Sequence, residues 1–160
     1  MVRKVFFSFH YDRDIWRVGP IRNSQVTADT AGFIDVASWE QLKRKGNDAI
    51  SQWINEQLDG TSVTAVLIGA ETASRPWVDY EIKESYKRGN GILGIYIHNV
   101  EDQNGNIDQK GENPLDKLGI KRDTGWIPLS RFYRTYDWKA DDGYNNIEDW
   151  IEYAAKAADR

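Results

Sequence analysis

The chain has 160 residues, of which 40% are hydrophobic and 29% charged, with a net charge of −4 and no cysteine. This length and composition predict a single globular domain over residues 1–160 and exclude disulfides and thiolate metal sites. The acidic balance without a Lys/Arg cluster argues against nucleic-acid binding, and the lack of a long apolar run or a signal peptide predicts a cytoplasmic protein without a membrane partner.

The first quarter of the chain predicts two strands separated by a weak helix. Residues 5–9 are β-branched and aromatic, with a polar segment after them, which is typical of a strand giving way to a loop. The pattern over residues 14–30 favours a helix that Gly19-Pro20 should kink or break. Residues 32–36 predict the second strand, and Ser38 is expected to cap the helix that follows.

The middle of the chain alternates helices with buried strands. Apolar residues at helical spacing predict a helix over residues 50–58. Residues 62–69 are almost continuously apolar or β-prone, as in a central strand that is covered on both faces. Residues 76–88 predict a helix because Pro76 suits its first turn, and residues 91–98 predict another buried strand.

The last third begins with an irregular excursion over residues 99–131, which is rich in Asn, Asp, Gly and Lys. Residues 132–136 predict a fifth strand, and an apolar stripe over residues 147–158 predicts the last helix.

Strands that alternate with helices require crossover connections and therefore a parallel sheet. We predict a three-layer α/β fold of the flavodoxin-like type, in which a mostly parallel five-stranded sheet of order 2-1-3-4-5 carries helices on both faces. Ligands of such sheets gather at the carboxyl ends of the strands where the strand order reverses. Residues 8–11, 35–39 and 69–72 are therefore expected to lie near one another.

Two segments match, wholly or in part, the residue pattern of a known binding motif but lack other features that the motif requires. Residues 89–94 fit G-x-G-x-x-G, but a dinucleotide fingerprint follows a strand and opens a helix, whereas this segment precedes a strand. Residues 102–108 imitate the start of a calcium loop, yet Ile107 replaces the required Gly and Asn113 the bidentate Glu. With two histidines and no cysteine, no metal site is predicted.

The helix after the central strand carries the most informative pair. Trp77 and Glu81 are four residues apart and share a helix face, with Ser85 one turn further on. Val78, Ile82 and Tyr86 form a neighbouring stripe that is expected to contact the sheet, so packing does not require Glu81. From spacing alone, a core tryptophan beside a solvated acid is the commoner interpretation.

The sequence resembles the TIR domain superfamily, most closely its bacterial TIR-like branch in Thoeris antiphage defence. Residues 6–10, FFSFH, are similar to the aromatic-x-Ser-aromatic box that closes the first TIR strand, and residues 77–81, WVDYE, are similar to the W-x-x-x-E signature. Residues 110–114 and 134–144 resemble segments of the Thoeris-type branch. The resemblance covers nearly the whole chain, although His10 stands where many TIR enzymes carry an arginine.

The resemblance implies an enzyme that cleaves the bond between nicotinamide and ribose in NAD and makes a cyclic ADP-ribose isomer as an immune signal. It implies NAD as the substrate and no cofactor, a downstream effector reached through the diffusible nucleotide, and self-association of the active form. Water reaching the ribosyl cation first would give free ADP-ribose instead, and the sequence leaves hydrolysis and cyclisation open. A non-catalytic TIR-like adaptor and a nucleotide-sensing module remain alternatives.

The resemblance implies that Glu81 is the catalytic residue. Nicotinamide in NAD is a cation that leaves neutral, so the general acid of ordinary glycosidases is not needed and one carboxylate can suffice. We expect ionised Glu81 to accept hydrogen bonds from the ribose hydroxyls and to stabilise the charge that develops at the anomeric carbon. The residues assigned to substrate binding are Ser8, Phe9, His10, Trp39 and Trp77, with Trp77 against the nicotinamide.

Overall fold

The computed structural model describes residues 3–24 and 29–160. In this part of the chain the strands are β1 Lys4–Ser8, β2 Asp29–Ala31, β3 Val63–Ile68, β4 Gly91–Tyr96, β5 Gly119–Arg122, β6 Gly125–Pro128 and β7 Thr135–Asp137. The α-helices are α1 Tyr11–Asn23, α2 Val36–Lys45, α3 Asn47–Leu58, α4 Pro76–Lys87, α5 Pro114–Lys117 and α6 Gly143–Ala157.

Five strands form one sheet in the order β2-β1-β3-β4-β7, and all four neighbouring pairs are parallel. This confirms the predicted three-layer α/β fold and its strand order, since β7 is the fifth strand of the sheet along the chain. The remaining two strands, β5 and β6, pair with each other as an antiparallel hairpin.

The central strand β3 is buried at every position because helices cover both faces of the sheet. Val63, Ala65 and Leu67 pack in a cluster with residues of α1 and α6, whereas Val66 and Ile68 pack in a second cluster with residues of α4. This alternation follows from the two-residue period of a strand and explains the continuous apolar run in the sequence.

The first helix differs from its prediction. It begins at Tyr11 and continues through Pro20 to Asn23, because a proline in the final turn removes only one helical hydrogen bond. Residues 25–28 of the predicted helix lie outside the described residues, and residues 29–30 belong to β2.

The prediction of the second strand at residues 32–36 is wrong, since β2 ends at Ala31. Gly32 has a φ of +89°, and a Cβ there would overlap the carbonyl oxygen of Phe7, so the chain turns away from the sheet at this point. The helix α2 then begins at Val36, and its cap is Asp35 rather than Ser38. The Asp35 carboxylate accepts a hydrogen bond from the Ser38 amide at 2.8 Å.

Residues 99–131, which were predicted to be irregular, contain regular secondary structure, namely α5 and the β5–β6 hairpin. The Asn113 side chain caps α5 by accepting a hydrogen bond from the Leu115 amide at 3.0 Å. None of the helices in residues 3–24 and 29–160 combines the length and apolar character needed to cross a bilayer.

Gly91 at the start of β4 lets α6 approach the sheet. A Cβ on Gly91 would overlap the backbone of Ala154, whereas a Cβ on Gly19 in α1 would meet nothing within 4 Å. We expect Gly91→Ala to lower the free energy of unfolding by about 2 kcal/mol or more through overpacking. Gly19→Ala should instead raise it by about 0.5 kcal/mol through helix propensity. Urea denaturation of both variants measures this, and equal effects would contradict the close approach.

Candidate active site around Glu81

The candidate site lies between β1, the start of α1 and the middle of α4. Ser8 is the last residue of β1, and Tyr11 is the first residue of α1. The turn between them is fixed because the His10 side chain caps α1, accepting a hydrogen bond from the Arg13 amide at 3.2 Å. These two segments place the Ser8 and Tyr11 hydroxyls against Glu81 on α4.

Glu81 is fully buried, with 0% of its surface exposed. Its Oε1 accepts a hydrogen bond from the Ser8 hydroxyl, and its Oε2 accepts one from the Tyr11 hydroxyl, each at 2.7 Å. Spacing alone favours a solvent-exposed Glu81, and this expectation is wrong because the side chain is buried. Glu81 is an acid enclosed by protein and held by two hydroxyl donors.

Burial raises the pKa of Glu81 to about 8, because the loss of hydration outweighs the two hydrogen bonds, which favour the charged form. At neutral pH the enclosed carboxyl is therefore mainly protonated. Desolvation is the physical reason, and the expectation that Glu81 is ionised when it holds the substrate remains a prediction.

The face of α4 that contacts the sheet is wider and more polar than predicted. Val78 and Ile82 are buried as expected, but Tyr86 is 39% exposed, whereas Glu81 and Ser85 are fully buried. The Ser85 hydroxyl lies 2.7 Å from the Thr64 hydroxyl of β3 and donates to the Glu81 carbonyl at 2.7 Å. Hydrogen bonds to neighbouring strands thus allow polar residues on a buried helix face.

The five residues assigned to substrate binding occupy different environments. Ser8 contacts Glu81 directly, as described above. Phe9 is 1% exposed, with its ring 4.5 Å from the Tyr11 ring and 5.7 Å from the Phe33 ring. His10 is 8% exposed, and burial followed by the Arg75 charge lowers the pKa of its imidazole. Contact of Phe9 and His10 with a nucleotide remains a prediction.

The two tryptophans assigned to substrate binding differ in their surroundings, and only Trp39 contacts a residue that bonds Glu81. Trp39 is buried, with its ring 4.6 Å from the Tyr11 ring and its indole N–H donating to Asp12 at 3.1 Å. Trp77 is half-buried and meets Tyr80 edge-on at 5.6 Å. The contact between Trp39 and Tyr11 agrees with the prediction that residues 8–11 and 35–39 lie together.

Tyr11 and Asp14 are residues of this region that sequence reasoning missed. They lie one turn apart on the buried face of α1, and the helical spacing of Tyr11, Asp14, Val18 and Ile21 was the available signal. Both carboxylate oxygens of Asp14 are buried without a hydrogen bond, and burial raises the pKa of Asp14 to about 6. Gly69 makes room for this carboxylate, because a Cβ there would overlap it.

Across residues 3–24 and 29–160, no group of three or more His, Cys, Asp or Glu residues is arranged to hold a metal ion. Asp102, in the segment that imitates a calcium loop, instead accepts hydrogen bonds from the Asn104 and Asn106 amides, both at 2.9 Å. These bonds are those of a side-chain-stabilised turn.

A family model described as "Thoeris protein ThsB, TIR-like domain" matches residues 6–102, the range that contains both the Ser8 box and Glu81. A protein of Bacillus cereus (strain MSX-D12), named "Putative cyclic ADP-D-ribose synthase ThsB1", is 39% identical over 191 residues. The similarity covers 94% of this chain and 100% of that protein.

Proposed function

We propose, from the premise that this chain belongs to the family of Thoeris ThsB proteins with a TIR-like domain, that it consumes NAD by cleaving the bond between nicotinamide and ribose. The observation that carries the proposal is the Glu81 carboxyl, enclosed at the carboxyl end of β1 with one hydroxyl on each oxygen. The printed name of the Bacillus cereus relative supports the choice of substrate.

The two protein hydroxyls that contact Glu81 suggest how ribose would bind. The nicotinamide ribose carries two neighbouring hydroxyls, and Ser8 and Tyr11 present two hydroxyls to the same carboxyl at 2.7 Å. We infer that substrate entry displaces at least one of these protein hydroxyls and that a ribose hydroxyl takes its place. The carboxyl would then hold the sugar while the anomeric carbon gains positive charge.

The same step would ionise Glu81. With a pKa of about 8, losing the proton at pH 7 costs about 1.4 kcal/mol. A cation about 4 Å away contributes about 4 kcal/mol at the effective dielectric constant of a protein site, so the cationic nicotinamide favours the carboxylate. Binding of NAD should therefore release a proton, and the carboxylate would form only where the reacting cation is present.

Once nicotinamide has left, the fate of the ribosyl cation depends on what reaches it. An adenosine atom of the same molecule closes a cyclic ADP-ribose isomer, and water gives ADP-ribose. We propose cyclisation, because a site as closed as that around Glu81 limits the access of water and because the relative is named as a cyclic ADP-D-ribose synthase. The cyclic product would be a diffusible signal that activates a downstream effector.

The direct test measures nicotinamide release from NAD by the purified protein, alone and with lysate of phage-infected cells. We expect release in at least one condition, and the mass of the nucleotide product distinguishes a cyclic isomer from ADP-ribose by one water. Calorimetry in buffers of different ionisation enthalpy measures the proton released on NAD binding. Absence of nicotinamide release in both conditions would rule out the proposed activity.

A non-catalytic adaptor is the second candidate, and the complete burial of Glu81 favours it. A carboxyl with 0% exposure and both oxygens hydrogen-bonded is also what a purely structural acid would show. An adaptor predicts that Glu81→Gln keeps phage resistance intact. A nucleotide sensor predicts calorimetric binding of NAD without its consumption.

Tyr11 offers a prediction on the pH dependence of the reaction. The hydrogen bond from the Tyr11 hydroxyl lowers the pKa of Glu81, so Tyr11→Phe should raise this pKa further. We expect the rising limb of the pH–rate profile for nicotinamide release to move up by about one unit. Tyr144→Phe, at a side chain that is 72% exposed, is the matched control. Identical profiles for the two variants would argue against this role of Tyr11.

A further inference from the structure

A second concave region lies away from Glu81, near the amino-terminal end of β4. It is a cleft of about 520 Å³ between the end of α4, the β5–β6 hairpin, the segment leading into β7 and α6. The residues that define this basic cleft are Tyr86, Arg122, Phe132, Tyr133, Arg134 and Tyr153. Its volume lies within the range of about 300–1,000 Å³ typical of small-molecule sites.

The cleft is positively charged although the chain as a whole carries a net charge of −4. Arg122 and Arg134 line it, and no Asp or Glu of the described residues does. Within residues 3–24 and 29–160 neither guanidinium takes part in an ion pair or a hydrogen bond. Their N–H groups are therefore available to an anion.

Aromatic rings hold the two guanidiniums in place. The Arg134 guanidinium lies 3.9 Å from the centre of the Tyr153 ring, and the Arg122 guanidinium lies 5.3 Å from that of Phe132. The backbone of Arg134 is also anchored, because its carbonyl accepts a hydrogen bond from the Gly94 amide at 3.0 Å. An arginine stacked on a ring keeps its N–H edges for a phosphate, which it can bind with two hydrogen bonds.

The rest of the lining suits a flat aromatic group. The Tyr136 and Trp150 rings stack with centres 4.2 Å apart, and the small side chains of Ala154 and Ala157 on α6 and of Ala158 after it also line the cleft. Tyr86 and Phe132 are 39% and 44% exposed, so part of the aromatic surface is uncovered. A ring that enters the cleft can pack on these surfaces.

We propose that the basic cleft binds a nucleotide, with its phosphates on Arg122 and Arg134 and its base against the aromatic wall. Two guanidiniums in a cleft that no Asp or Glu of the described residues lines match a diphosphate better than a single carboxylate. The cleft is open to solvent on one side, and its volume of about 520 Å³ matches one small ligand. This site is separate from Glu81, so its ligand need not be the substrate of the proposed reaction.

The probe for the test is ADP, titrated calorimetrically into the full chain at low and at physiological salt. We expect Arg122→Gln and Arg134→Gln each to weaken ADP binding by about tenfold or more, because each removes a charge-assisted contact. Lys121→Gln is the matched control, since it removes the same charge from the same strand outside the cleft, and it should change the affinity by less than about twofold. Inorganic pyrophosphate and adenosine should each bind at least about tenfold more weakly than ADP.

An NMR measurement on the unmodified chain locates bound ADP independently of the arginine variants. The indole N–H signal of Trp150, assigned with Trp150→Phe, should shift on addition of ADP. Undetectable ADP binding, equal losses in all three variants, or no shift of the Trp150 signal would overturn the proposal. Pyrophosphate or adenosine binding as tightly as ADP would overturn the nucleotide assignment. A change of sedimentation mass in the arginine variants without loss of ADP affinity would assign the cleft to a second copy of the chain. None of these outcomes bears on nicotinamide release at Glu81.

Discussion

Replacing Glu81 with glutamine is expected to reduce nicotinamide release by at least about 100-fold, the scale found when a preorganised group that stabilises transition-state charge is removed. Glutamine has nearly the same shape as the protonated carboxyl and can still bond the Ser8 and Tyr11 hydroxyls. It cannot become an anion when the cationic substrate binds. The variant should therefore fold at neutral pH and fail in catalysis.

Glu84→Gln is the matched control for this experiment because it alters the same helix, α4, at a half-buried position that faces Lys87 at 3.6 Å. It should retain the activity of the unmodified chain. Thermal melts of both variants establish that the protein is folded. A Glu81→Gln protein that keeps more than about a tenth of the activity would refute a charged role for Glu81.

The second large effect concerns stability between pH 5 and pH 8. The pKa of Glu81 is about 8 in the folded chain and near 4.5 in an unfolded one. Over this interval the folded state binds more protons, so the free energy of unfolding falls as the pH rises, by about 1.4 kcal/mol per unit. Relative to Glu81→Gln, the unmodified chain should lose about 3.5 kcal/mol between pH 5 and pH 8, because titration is incomplete at both ends of the interval.

Urea denaturation at several pH values measures this difference, with Glu84→Gln again as the control. Asp14, whose pKa is raised to about 6, adds its own loss at lower pH. That loss is common to all three proteins and cancels in the comparison. Parallel stability profiles for the unmodified chain and Glu81→Gln would mean that the carboxyl is not enclosed in solution. The expected loss is the energetic cost of keeping an ionisable carboxyl out of water.

The site and the basic cleft lie toward opposite ends of the same sheet, and α4 runs between them. Glu81 lies at the middle of this helix, and Tyr86 near its end lines the cleft. Buried hydrogen bonds follow the same route, since Asn90 contacts the Thr61 hydroxyl at 2.9 Å and Ser85 contacts Thr64. Calorimetric titration of NAD with and without ADP would measure the coupling between the two sites as a change in affinity.

The strands buried on both faces were predictable from local pattern, whereas the edge elements were not. A strand such as β3, covered by helices on each side, is apolar or β-prone at nearly every position, so the pattern of residues 62–69 predicted it. The edge strand β2 has only three residues, and its position depends on pairing with β1. The residues 32–36 that looked more strand-like are turned out of the sheet at Gly32, where a backbone approach excludes a side chain.

The sequence by itself determined the α/β class, the order of the central strands, and the placement of Glu81 on the helix after β3, because these follow from hydrophobic periodicity and motif. Only the tertiary structure decided the environment of that carboxyl. Ser8 and Tyr11 are separated from Glu81 by 73 and 70 residues, yet both bond it at 2.7 Å. Burial and hydrogen bonding set a pKa, and both arise from long-range packing that no local pattern encodes.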